Sequence, residues 1–216
     1  MPINEEMAPP EAVALGRNEA VSDRPFTAVD LLDADVGILR GMLRDLRRVL
    51  EESDSGDRDF EPMQRLVWRV DGLTHRLLIC DEPKLRDHRE LCVVGFFAER
   101  RSDIDLSPLE EANTAIVGEF VKYPGILSYS SVELPDGRWG NLVLHDDPID
   151  KDYWRKSELH VSAVDALSPA NYKNVRIHNA RLTDYLMGQP KFKISKTKYF
   201  DYSSGDGWRA ERTLIP

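Results

Sequence analysis

The segment DYWRKSELH, residues 152–160, brings a phenol, an indole, a hydroxyl and an imidazole into nine residues. On a helix, the 3.6-residue repeat carries Tyr153, His160, Val164 and Leu167 to one face, with Trp154 and Val161 at its border. An imidazole on the buried side of such a helix can take or give a proton near neutral pH. His160 is therefore the candidate acid/base, with Trp154 the candidate contact beside it. The competing reading satisfies His160 with a backbone carbonyl and makes Trp154 a core anchor. Asn113, Tyr129 and His145 join them as candidate substrate contacts. Asn113 falls on a helix and also reads as a solvated amide; Tyr129 and His145 fall on two strands, facing either a ligand or a subunit interface, since the sequence leaves the register open. His145, Asp146 and Asp147 are adjacent in the chain, and three adjacent ligands rarely converge on one ion, so no metal is expected there. His178 reads as structural or interfacial, and nothing near His75 or His88 forms a site. Cys80 and Cys92 sit in apolar runs and read as buried, inert thiols.

Several elements must position these residues. Residues 31–52 place Leu32, Val36, Leu39, Leu43, Leu46 and Leu50 on one helical face, with Arg40, Arg44, Arg47 and Arg48 on the other, read as solvated. Residues 62–80 fit two templates. Seven apolar residues from Met63 to Leu78 match a helical stripe, while Asp71-Gly72 is a hairpin signal. The number of matches favours a helix, which would pair with the first as a helical hairpin. From Leu91 the pattern becomes strand, then a helix opening at SPLE (107–110), then strand, turn and strand through residues 126–145. A helix over about 149–167 and a strand, YKNVRIHNARL, follow. The order β-α-β-β-α-β predicts an α+β fold, a ferredoxin-like antiparallel sheet with both helices on one face. Its bare face calls for a second copy, hence a homodimer. KFKISKTKYF reads as an edge strand guarded by lysines. The expected organisation is an arm at 1–25, a helical subdomain at 26–90, the ferredoxin-like domain at 91–182 and a C-terminal β arm at 183–216.

Composition sets outer limits. A net charge of −9 over 216 residues opposes nucleic-acid binding and docking on anionic membranes. No apolar run approaches the ~20 residues of a membrane span. MPINEEMAPPEAVALGRNEA lacks the basic start and apolar block of a secretory signal, and two cysteines form no disulfide framework, so the expected location is cytoplasmic. Phosphate-loop, dinucleotide, paired-cysteine, zincin and nucleophile-elbow motifs do not occur.

Pro124-Gly125, LVLHDD (142–147), and Trp154, Ser157 and His160 together resemble the dimeric α+β barrel superfamily. More narrowly, about Leu91 to Leu182 resembles its antibiotic-biosynthesis-monooxygenase-type domains. The resemblance implies a small apolar cavity between sheet and helices. It implies cofactor-independent oxygenation or cyclisation of an apolar or aromatic substrate, with His160 as acid/base and Trp154, Tyr129, Asn113 and His145 around the substrate. Haem-degrading members carry their ligand His later in the second helix, where this chain has none, so neither haem nor another cofactor is expected. The family also contains proteins without catalysis. A non-catalytic small-molecule-binding or interaction protein on the same fold is the alternative.

Overall fold

The structure, a computed structural model, describes residues 11–102, 104–205 and 207–214. Its strands are β1 (Val13–Leu15), β2 (Arg65–Val70), β3 (Leu73–Ile79), β4 (Glu90–Arg100), β5 (Ile126–Glu133), β6 (Arg138–His145), β7 (Tyr172–Thr183), β8 (Lys191–Asp201) and β9 (Arg209–Thr213). Its helices are α1 (Val29–Asp54), α2 (Glu82–Asp87), α3 (Ser107–Glu119), α4 (Pro148–Trp154), α5 (Glu158–Ser162) and α6 (Ser168–Asn171). The strands form one nine-stranded sheet in the order β1-β9-β8-β7-β4-β6-β5-β3-β2. Every pairing is antiparallel except β1 with β9.

This corrects the expected ferredoxin-like α+β barrel. The sheet continues past β5 through β3 and β2, and past β7 through β8, β9 and β1. The face assigned to a second copy is instead covered from within the chain. Leu39, Leu43, Leu46 and Leu50 of α1 pack on that face against Leu77, Val93, Phe97, Leu142 and Leu144. Leu39 packs directly over Gly95 on the central strand. A Cβ there would lie 2.7 Å from Leu39 Cδ1, so the missing side chain makes room for Leu39 against the sheet. On the opposite face Phe120, Tyr129, Ile126 and Trp154 form a second cluster with Ile116 and Val117 of α3. KFKISKTKYF is likewise not an edge, because β9 pairs with β8 from Lys196 to Phe200.

Residues 62–80 are a β-hairpin, not a helix. Val70 pairs with Leu73 around Asp71 (φ 52°) and Gly72 (φ 80°). Two positive φ values in a two-residue loop match the right-handed twist of the flanking strands, which is why Asp-Gly there outweighs the apolar stripe. Part of that stripe was never a buried face, since Val67 and Val70 are exposed.

The helix expected over 149–167 is broken. α4 ends at Trp154 and α5 starts after Ser157, whose Oγ accepts from the His160 backbone N–H at 3.1 Å. The fresh N-cap resets the helical phase. Trp154 is buried, while Tyr153 and Val164 are exposed rather than sharing a buried face with His160. Ser157→Ala should therefore cost about 1 kcal/mol, and Ser157→Asn should recover most of it. Urea denaturation of the two variants measures the difference.

Candidate functional site

β3 and β5 run side by side with Leu78 opposite Tyr129 and Arg76 opposite Ser131. Alternation along the strands sends Arg76, Leu78, Tyr129 and Ser131 to the same side of the sheet. α3 lies over this side, and between them is a cavity of about 270 Å³. Arg65, Arg76, Asn113, Val117, Tyr129 and Ser131 are among its lining residues, with Met63 and Leu78 adding apolar surface. Tyr129 donates its hydroxyl to Asn113 Oδ1 at 3.3 Å. Burial pushes the Tyr129 phenol up to about 12, so it stays protonated at neutral pH. The Ser131 hydroxyl is buried beside it with no hydrogen bond of normal geometry, and Arg76 Nη1 is likewise buried without a partner.

Aromatic rings continue from Tyr129 away from the cavity. Phe120 meets Tyr129 edge-on at 5.7 Å and Trp154 at 5.2 Å, and Trp154 meets His160 at 5.4 Å. Of the residues expected to contact substrate, Asn113 and Tyr129 line the cavity together. Trp154, His145 and His160 do not line it; Trp154 and His160 lie further along the ring chain. Burial, then the nearby Arg155, lowers the His160 pKa, which leaves the imidazole neutral. His145 closes β6, is almost fully buried, and has an unpartnered Nδ1. Burial, with Lys151 and His160 nearby, brings its pKa down to about 4. Asp146 pairs with Lys84 at 2.8 Å and His88 at 2.7 Å, while Asp147 caps α4. Among the described residues no group of His, Cys, Asp and Glu is arranged to hold a metal.

Arg65, Arg76 and Ser131 did not stand out in the sequence. With 62–80 taken as a helix, Arg65 and Arg76 had no common face with Tyr129. Asp71-Gly72 was the signal that puts them there, because a hairpin fixes which residues of β2 and β3 point toward β5's Tyr129 side.

A second cluster has the look of a reactive site. Asp35, His178 and Thr197 follow the carboxylate–imidazole–hydroxyl order of a hydrolase triad, with His178 Nε2 3.0 Å from Asp35 Oδ2 and Nδ1 2.9 Å from Thr197 Oγ1. Asp35 also receives Arg176 Nε at 2.6 Å and Nη2 at 3.0 Å. A carboxylate only accepts, so Nε2 carries the His178 proton and Nδ1 accepts from the Thr197 hydroxyl. All three triad members are fully buried, and no substrate could reach the hydroxyl. The cluster pins α1 to β7 and β8. The two basic patches also meet: Arg40, Arg44 and Arg47 of α1 face Lys191 and Lys193 of β8 across an open groove of about 480 Å³. Cys80 and Cys92 are free, and burial raises both thiols, Cys80 to about 12. No helix among the described residues is long and apolar enough to cross a membrane.

No family model and no curated protein matches the chain. A solved structure, protein SO0527 from Shewanella oneidensis, is similar at a TM-score of 0.39 and 10% identity, over 44% of this chain and 92% of that one. A likeness at that level carries no argument about function, so the reading of the site rests on its own residues.

Proposed function

We propose that this chain binds a small organic molecule with a ring-sized apolar body in the α3 cavity, and holds it without transforming it. The observation that carries this reading is the cavity's unspent polarity. Among the described residues the Ser131 hydroxyl, which lies beside Tyr129, and Arg76 Nη1 are buried without a hydrogen bond of normal geometry. Each such group costs about 1–3 kcal/mol unless something supplies the missing bond. Around them Met63, Leu78 and Val117 offer apolar contact. The volume of about 270 Å³ lies just under the ~300–1,000 Å³ of drug-sized pockets, which suits a single ring with one polar substituent.

Binding is favoured over catalysis by what lines the cavity. Its polar groups are hydroxyls, an amide and guanidiniums. Tyr129 is held neutral, and guanidinium side chains are poor proton shuttles in general, so the lining offers no acid/base near pH 7. His160, the acid/base of the monooxygenase-type reading, lies against Trp154.

Benzamide and benzoate serve as one-ring test compounds. At ten times its dissociation constant, a bound compound should raise stability by about 1.4 kcal/mol, or the melting temperature by roughly 3–6 °C for a chain of this size. Val117→Trp, which fills the cavity, should keep the far-UV circular dichroism and lose the shift. An equal shift in Val117→Trp, or none from either compound at millimolar concentration, would overturn the reading.

A further inference from the structure

We propose that the cavity selects a carboxylate, seating its oxygens on Arg76 with Arg65 as the second positive charge while the ring lies along Leu78 and Tyr129. This rests on the preceding reading and adds the charge of the ligand. The observation behind it is a local imbalance in an otherwise acidic chain. Arg65, Arg76 and Arg100 gather on the α3 side of the sheet's β5 end. Glu133 is the one carboxylate ion-paired within this group, and it is engaged by Arg100 at 3.3 Å. Among the described residues, no carboxylate oxygen lies within 4 Å of the Arg65 or Arg76 guanidinium.

Arg76 is also held in place. Its guanidinium stacks 5.0 Å from the Trp139 ring centroid, which Arg100 also approaches at 4.7 Å. Trp139 is itself fixed by a 2.6 Å hydrogen bond from Nε1 to Asn141 Oδ1. A planar, oriented guanidinium with a free edge matches the two oxygens of a carboxylate and loses little freedom on pairing. Burial and then the neighbouring Arg65 work against the charge on Arg76 more than Glu133 supports it. An incoming anion offsets the repulsion and compensates the buried charge. A neutral ligand would fill the apolar volume and leave this repulsion in place. The compact cavity and its mainly apolar lining favour the singly charged, planar carboxylate over a tetrahedral dianion.

Calorimetric titration with benzoate, its neutral isostere benzamide, and phenyl phosphate tests the proposal. In the intact chain benzoate should bind at least tenfold tighter than benzamide and tighter than phenyl phosphate. Arg76→Met should abolish the benzoate preference, bringing the two affinities within about twofold of each other, while Arg76→Lys should keep the preference in weakened form. Benzamide binding as well as benzoate, or a benzoate preference that survives Arg76→Met, overturns the carboxylate assignment and leaves the cavity reading intact. Phenyl phosphate binding tighter than benzoate overturns the carboxylate class. Binding by none of the three removes the cavity reading and this inference with it.

Discussion

Asp35→Ala is expected to cost about 3–5 kcal/mol of folding free energy, because it strands two polar partners in the core. Arg176 and His178 both bond to this carboxylate, and Arg138 Nη1 stands 4.0 Å away. None of the three triad-like residues reaches water, so the vacated position cannot simply rehydrate. Burial alone would raise the Asp35 pKa. Hydrogen bonds from His178 and Arg176 outweigh it and hold the carboxyl below its ordinary value of 3.8. The native state thus depends on Asp35 being ionised. For a chain of this size each kcal/mol is worth roughly 2–4 °C, so the midpoint should drop by about 10 °C. Replacing the Asp35–Arg176 ion pair with apolar groups, as in Asp35→Leu with Arg176→Met, should recover part of the loss, since burying an ion pair is costly in itself, with the remainder left by the unpaired His178 Nε2–H. Urea titrations of the single and double variants separate the outcomes. A single-variant loss under about 1 kcal/mol would mean that the cluster does not hold α1 down.

The same cluster shows where a linear reading runs out. Asp35 lies in the apolar stripe of α1, one position from Val36, and its partners are more than 140 residues away. No local pattern joins them. They meet only because α1 covers the sheet face that an isolated β-α-β-β-α-β unit would leave bare. The strands from β4 onward were legible because each apolar run was bracketed by clear breakers, as at Pro124-Gly125 and Asp136-Gly137. Residues 62–80 were not, since their apolar positions satisfied periods of two and of 3.6 at once, and the two φ values at Asp71-Gly72 decided it. That one choice kept Arg65 and Arg76 from the candidates, whereas Asn113 and Tyr129, which line the same cavity, were among them. Trp154 and His160 were placed on one uninterrupted helix because Ser157 reads as well at a helical surface as at an N-cap.

Acid should destabilise the fold in a window set by histidine. Unfolded, His145 titrates near 6.5; folded, burial beside Lys151 and His160 brings it to about 4. Between those two values the unfolded chain binds a proton that the folded chain refuses. Stability is therefore fully present above about pH 6.5 and declines as pH falls, by about 1.4 kcal/mol per unit and about 3 kcal/mol in all by pH 4. His178 contributes with the same sign, because burial lowers its pKa against the pull of Asp35. Asp35 belongs to a lower window, since its contribution is lost only as pH drops through a folded value below 3.8. His145→Gln removes the titrating group while keeping a polar side chain of similar reach. Its stability should fall less steeply than the wild type's between pH 6.5 and 4, even if it starts lower at pH 7. Urea midpoints across that range provide the comparison. Parallel slopes would assign the acid sensitivity to His178 and the α1 clamp. A shallower slope in the variant would identify the end of β6, beside the aromatic chain that leads from the cavity to His160, as the point where protonation first loosens the sheet.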